Sequence, residues 1–291
     1  MSLDGRLAGA PISWGVCEVP GWGYQMTPDR VLREMHEVGL VATEFGPDGF
    51  LPDAPQEKIE LLAGHGLRAV GGFVPVVLHD PARDALLGLD AVLASFVTAG
   101  ADTLVLAADT GLTGYDERVE LDERQWRTLL DNLDRIAEAA REHGITATLH
   151  PHVGTIIEKE PEVARVLESS RIPLCLDTGH LLIGGSDPAT LAREVPERIA
   201  HTHLKDVNAD LARSVQKGQM PYTAAVKAGI YRPLGSGDVD IAGIVSSLER
   251  AGYTGWYVME QDTVLGVEPA DGGGPVEDVR ASLAYVVELA G

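Results

Sequence analysis

A single-domain (β/α)8 TIM barrel over residues 1–291 is the fold this sequence predicts, and three observations predict it. One phrase repeats along the chain: an amphipathic helical stretch, a glycine, then a short apolar run. It is punctuated at Gly39, Gly66, Gly100, Gly144 and Gly252, and glycine suits the left-handed residue that closes a helix. Eight apolar runs qualify as strands, which gives about 36 residues per unit, the spacing of a barrel with one insertion. The rival architecture, an open doubly wound sheet, carries a glycine fingerprint for phosphate after its first strand. "SWGVCEVPGWG" supplies none.

Taken in order, the strands are expected at about 9–15, 40–45, 67–74, 103–108, 145–150, 172–177, 199–205 and 255–260. Thr27-Pro28 and Asp187-Pro188 each put a capping oxygen before a proline at the first helical position. Asp122 with Gln125 resembles a capping box, and after it Trp126, Leu129, Leu130, Leu133, Ile136, Ala137 and Ala140 share one helical face. The extra length lies after the seventh strand, where 206–240 is expected to form a long connection that is lid-like or carries a short helix. "DGGGP" at 271–275 reads as a loop before a last helix around Val276 to Leu289.

Composition narrows the function. With Lys+Arg 23 against Asp+Glu 44, the formal net charge is −21. Such a field opposes nucleic acid or an anionic membrane as the main partner, because phosphate binding needs Lys and Arg. No apolar stretch approaches the roughly 18 residues of a membrane helix. Met1 to Ala10 lacks the basic-then-apolar order of a signal peptide, so a cytoplasmic protein is expected. Cys17 and Cys175 are the only cysteines, which leaves no disulfide framework and no cysteine-based zinc site. Cys175, inside an apolar run, is expected as a small buried hydrophobe.

The strand ends carry the chemistry. In a barrel, ionisable residues at the C-terminal ends of strands face the active site. Here that happens on five of eight strands: Glu44, His150-Pro151-His152, Asp177, His203 with Lys205, and Glu260. Period-two alternation puts His201, His203 and Lys205 on one face of the seventh strand, and Cys175 with Asp177 on one face of the sixth. Asp177, His203, Glu260 and one of His150 or His152 are therefore expected to converge at the barrel mouth. Carboxylates and imidazoles without thiolate favour a divalent ion such as Mn2+, Co2+, Mg2+ or Zn2+, among which the donor set does not choose. His201, one pleat deeper, reads as structural. Trp14 is expected as a pocket wall or as plain barrel packing, and Arg232 as a loop contact reaching over the mouth.

At "LCLDTGH", "HTHLKD" and "WYVMEQD" the chain resembles the xylose-isomerase-like TIM-barrel superfamily, over essentially its whole length. "APISWG", "TEFGPDGFLP", "LHPHVGT" and "PLGSGDVD" follow in the order of its inosose (2-keto-myo-inositol) dehydratase branch. The resemblance implies metal ligands at Asp177, His203 and Glu260. It places a fourth at the end of the fifth strand, a glutamate in the isomerases and epimerases and His150 in this chain, with His152 as the competing ligand. It also implies the reaction: a metal-dependent lyase that removes water beside a ketone through an enediolate. His152, His180 and Glu44 are then the acid/base candidates, and Lys205 holds a substrate hydroxyl or developing oxyanion.

Two other activities share the barrel. An isomerase or epimerase of a ketose would use the same enediolate, but paired glutamates are its usual bases and His150 replaces one. A non-catalytic sugar-binding barrel would have no need of a complete ligand set. A repair nuclease of the endonuclease IV type is disfavoured by the charge and by a histidine count of 9. The expected partner is a small sugar or cyclitol, with a homo-oligomer common among such barrels.

Overall fold

The computed structural model of the chain describes residues 3 and 5–290. Its strands, in chain order, are β1 (Leu7–Gly9), β2 (Ala42–Thr43), β3 (Arg68–Ala69), β4 (Gly71–Val76), β5 (Thr103–Ala108), β6 (Thr146–Leu149), β7 (Leu174–Asp177) and β8 (Ile199–Leu204). β9 (Asp206–Val207) and β10 (Tyr231–Arg232) pair antiparallel as a separate ribbon, and β11 (Tyr257–Met259) returns to the main sheet. Every pairing in that sheet is parallel, in the order β3-β2-β1-β11-β8-β7-β6-β5-β4.

β3 and β4 are two halves of one strand broken at Val70. The Val70 N–H bonds the Thr43 carbonyl, while its own carbonyl accepts from Asp102 and Thr103. The sheet therefore closes on itself as an eight-membered ring, as a barrel requires. Gly71 makes the closure possible: a Cβ there would lie 1.8 Å from the Thr103 carbonyl oxygen.

The helices are α1 (Pro28–Val38), α2 (Pro55–Gly64), α3 (Leu89–Ala99), α4 (Glu123–Glu142), α5 (Glu160–Ser169), α6 (Thr178–Gly184), α7 (Pro188–Glu194), α8 (Ala209–Gln216), α9 (Tyr222–Lys227), α10 (Ile241–Arg250) and α11 (Pro275–Ala290). All five punctuating glycines have positive φ, from 71° at Gly66 to 100° at Gly39. The Asp122–Gln125 capping box is formed, and Asp187 caps α7 through the Ala189 N–H. Thr27 is at the N-cap of α1, but its side chain makes no capping bond. Among the described residues, no helix is long and apolar enough to cross a membrane.

The first strand is corrected. It ends at Gly9 instead of running from 9 to 15, and Pro11–Trp14 forms a tight helical turn closed by Gly15 at φ 78°. Pro11 has no N–H to give a ladder, so the chain turns there. The 206–240 segment carries helices, the second of the two forms expected for it. Its helices α8 and α9 pack with β9 and β10 around Val207, Ala225, Val226, Ile230 and Tyr231, a small core that reaches Trp22 and Val153. Asp206 ties the segment down: its carboxylate accepts from the N–H groups of Val207, Gly235, Gly237 and Val239 at 2.9 to 3.0 Å.

Candidate functional site

The C-terminal ends of the strands open into a cavity of about 470 Å³. Each polar group is delivered by the same local logic, a buried apolar strand that ends in an ionisable residue. Parallel register aligns them: Asp177 lies opposite His203, and His203 opposite Val258, which puts Glu260 one pleat further out. His150, His203, Glu260 and Lys205 open onto the cavity, and Trp22, Phe73 and Tyr115 build its apolar wall.

Donor atoms of Asp177, His203 and Glu260 lie within 4.8 Å of one another, all buried. His203 Nδ1 is 3.1 Å from Glu260 Oε2 and 3.4 Å from Asp177 Oδ2. Its other nitrogen, Nε2, is 2.9 Å from Glu44 Oε1, and the same oxygen is 2.8 Å from His201 Nε2. A carboxylate only accepts, so Glu44 holds both imidazoles with the proton on Nε2. In neutral His203 that leaves the Nδ1 lone pair facing two carboxylate oxygens, and Nδ1 indeed has no hydrogen-bond partner. With Nδ1 free of its proton, these three atoms make a donor set that one divalent ion could share. The residues fit a divalent ion, with Glu44 acting from behind His203 as the group that fixes its tautomer and orientation.

The electrostatics agree. Burial disfavours the His203 charge, yet the surrounding groups, Glu260 and Glu44 among them, hold its pKa well above the usual range. Burial pushes Glu260 up, but His203 and Lys205 outweigh it and hold the carboxyl at about 2. Asp177 and Glu44 are likewise held low against their burial. The site favours positive charge among ionised carboxylates.

His150 and His152 are separated by the geometry. His150 Nε2 is 3.1 Å from Asp177 Oδ2, and its donor atoms group with those of Asp177 and His180 and with those of Cys175 and His203. His152 joins no such group. Its Nδ1 donates to the Val153 carbonyl at 2.7 Å, which leaves Nε2 unprotonated in the neutral ring. Burial, then His150 and Lys205, keep it neutral by holding its pKa well below 6.5. His180 stacks behind it with ring centroids 3.7 Å apart, fully buried and off the cavity surface.

Lys205 is 2 % exposed and sits among three carboxylates. Its Nζ lies 2.5 Å from Asp262 Oδ1, 3.0 Å from Glu260 Oε2 and 3.5 Å from Asp177 Oδ2. Burial opposes its charge, but Asp177, Asp262 and Glu260 hold it firmly protonated. Its sequence neighbour Asp206 is not among its partners, because that carboxylate is taken by backbone N–H groups.

Two expected contacts fall outside the cavity. Trp14 is 0 % exposed and donates its Nε1–H to Glu34 Oε2 at 2.8 Å, so it packs beneath α1. The early end of β1 and the turn at Pro11 point it there, and Trp22 lines the mouth instead, donating to the Thr263 carbonyl. Arg232 is exposed on β10, turned out by the antiparallel pairing of Tyr231 with Val207. Cys175 is buried as expected, but its sulfur lies within 4.8 Å of donor atoms of His150 and His203. Burial pushes its thiol up to about 11, so it stands under the site as a neutral group.

Sequence reasoning missed Asp262, Tyr222 and Tyr231. The Tyr222 hydroxyl donates to Asp262 Oδ2 at 2.8 Å and is 2.9 Å from the Tyr231 hydroxyl. Asp262 had a signal, since it follows Glu260 at the period of a strand face. The tyrosines had none, because they come from the insertion.

The family model described as "Xylose isomerase-like TIM barrel" matches residues 32–286. An inosose dehydratase of Geobacillus kaustophilus is 32% identical over 275 residues, covering 88% of this chain and 87% of that protein. A rhizopine catabolism protein, MocC, of Rhizobium meliloti is 31% identical, covering 88% of this chain and 81% of that one. Among solved structures, an L-ribulose 3-epimerase aligns with a TM-score of 0.69 at 15% identity, covering 98% of this chain and 94% of that chain.

Proposed function

The chain belongs to the xylose isomerase-like TIM-barrel family, and on that premise we propose that it is a divalent-metal-dependent dehydratase acting on a keto-cyclitol of the inosose class. The likeness to inosose dehydratases over most of both chains carries this reading. The site supports it: a ligand group of Asp177, His203 and Glu260 with an imidazole, His150, in fourth place.

A divalent ion held there supplies Lewis-acid polarisation of the substrate carbonyl. An oxygen and imidazole donor set suits Mn2+ or Co2+. His152 offers a neutral Nε2 to take the proton from the carbon beside the ketone, with Val153 and His180 holding its ring. Lys205 offers a charged ammonium to the hydroxyl on the next carbon, which leaves with one proton as water. The C–H electron pair becomes the new double bond as the C–O bond breaks. Phe73 and Tyr115 present apolar surface around this ring-sized cavity. Among the described residues, Lys205 is its only lysine or arginine, so a phosphorylated substrate finds no cradle there. Epimerisation, the second reading, asks for carboxylate bases on both faces of the substrate, and His150 stands where one of them would be.

The test is NMR in D2O of the Mn2+-reconstituted protein with 2-keto-myo-inositol. Loss of one water is expected to give the enol, which ketonises to the dione by moving its hydroxyl proton to the carbon that lost the hydroxyl. An unchanged spectrum, with turnover of a ketose instead, overturns the dehydratase in favour of the epimerase.

A further inference from the structure

Lys205 and His203 compete for the same oxygens. Glu260 Oε2 is 3.0 Å from the Lys205 ammonium and 3.1 Å from His203 Nδ1, and Asp177 Oδ2 is 3.5 Å and 3.4 Å from the same two groups. An ion bound by Asp177, His203 and Glu260 needs those oxygens, and its charge repels the ammonium beside it. Lys205 has one carboxylate partner that His203 does not share, Asp262, at 2.5 Å. Asp262 in turn takes the Tyr222 hydroxyl at 2.8 Å on its second oxygen, and the Tyr231 ring lies under the ammonium at 5.2 Å. Both tyrosines come from the 206–240 insertion, and both are buried.

We propose that Asp262 is a positioning residue that anchors the Lys205 ammonium away from Asp177 and Glu260, freeing those carboxylates for a divalent ion, with Tyr222 of the insertion fixing Asp262 in turn. The inference rests on the metal site of the reading above and is independent of its substrate. Without Asp262, the buried ammonium keeps only the two ligand carboxylates as charge partners and becomes an internal competitor for the ion. Removing the ammonium as well removes the competitor.

That reciprocity is the test. The full chain, stripped of metal, is titrated with Mn2+ by calorimetry in four forms: wild type, Asp262→Asn, Lys205→Met and the double variant. Asp262→Asn is expected to weaken Mn2+ binding at least roughly tenfold, as breaking a buried charge pair does. The double variant is expected to bind within about threefold of Lys205→Met, a non-additive rescue. Wild-type affinity in Asp262→Asn overturns the proposal, as does a double variant that binds as weakly as Asp262→Asn. A merely structural Asp262 gives no rescue. If Asp262→Asn does not fold by circular dichroism, Tyr222→Phe with and without Lys205→Met takes its place, with the same weakening and rescue expected and their absence fatal. The titration contains no substrate. Failure of dehydration in the NMR experiment would thus leave this result readable by itself.

Discussion

His150 and His152 stand two residues apart beyond β6, yet their surroundings fit them for different tasks. His150 touches Asp177, whereas His152 is turned by its bond to the Val153 carbonyl and backed by His180. Replacing His150 with Ala is expected to lower the divalent metal retained after dialysis. Replacing His152 with Gln should leave metal content unchanged and reduce kcat by about 10²–10⁴-fold, the usual contribution of a positioned base. Metal analysis and turnover on the same two preparations check both, and metal loss in the His152 variant would reverse the assignment. Glu44 acts on the same centre from one step back. Glu44→Gln still occupies the space and keeps one oxygen for the Nε2 protons of His201 and His203, but as a neutral and weaker acceptor that no longer holds their charge. About 10–100-fold weaker metal binding is expected by isothermal titration, the range found for groups that orient a ligand.

At the scale of elements, Asp206 shows how a short ribbon can anchor an insertion. Its carboxylate satisfies four backbone N–H groups at once, three of them in the turn that leads to α10. Asp206→Ala is expected to cost on the order of 2 kcal/mol in denaturant unfolding. It should also expose the α8–α9 connection to limited proteolysis; an unchanged cleavage pattern would mean that the apolar core alone holds the segment. The elements themselves were largely legible in the sequence, because helix closure by glycine and strand endings in ionisable residues are local signals. Six of the expected strands overlap the observed ones within a few residues, and β5 coincides with its expected limits. What failed was non-local. Trp14 takes the packing role of its two readings because the turn at Pro11 rotates it under α1, and Arg232 was misplaced because antiparallel pairing faces it outward. Tyr222 was unreadable, since only the docking of α9 brings its hydroxyl to Asp262.

For the molecule as a whole, buried histidines set the response to acid. His79, His150, His152, His180 and His201 all have folded pKa values pushed below the ordinary 6.5, with burial the largest cause in each. Unfolding restores the ordinary value, so the unfolded chain takes up more protons as pH falls below 6.5. These groups therefore contribute stability that is present above that pH and lost below it. Glu260, held at about 2, adds a further loss as pH falls from its ordinary 4.5. His203 has the opposite sign, its share being complete below 6.5 and lost as pH rises through its elevated folded value. Five against one, the metal-free protein should melt at progressively lower temperature from pH 7.5 to 5.5. A flat Tm over that interval would contradict the sum. The closure of the ring has a consequence for synthesis. β1 pairs with β11, so the first strand to leave the ribosome waits for the last, and two parallel edges stay open until residue 259 has emerged. Glu260 and Asp262 follow immediately behind. A nascent chain halted before them presents sticky, unpaired edges and no complete seat for an ion, whereas emergence of residues 257–262 completes both within the same few residues of translation.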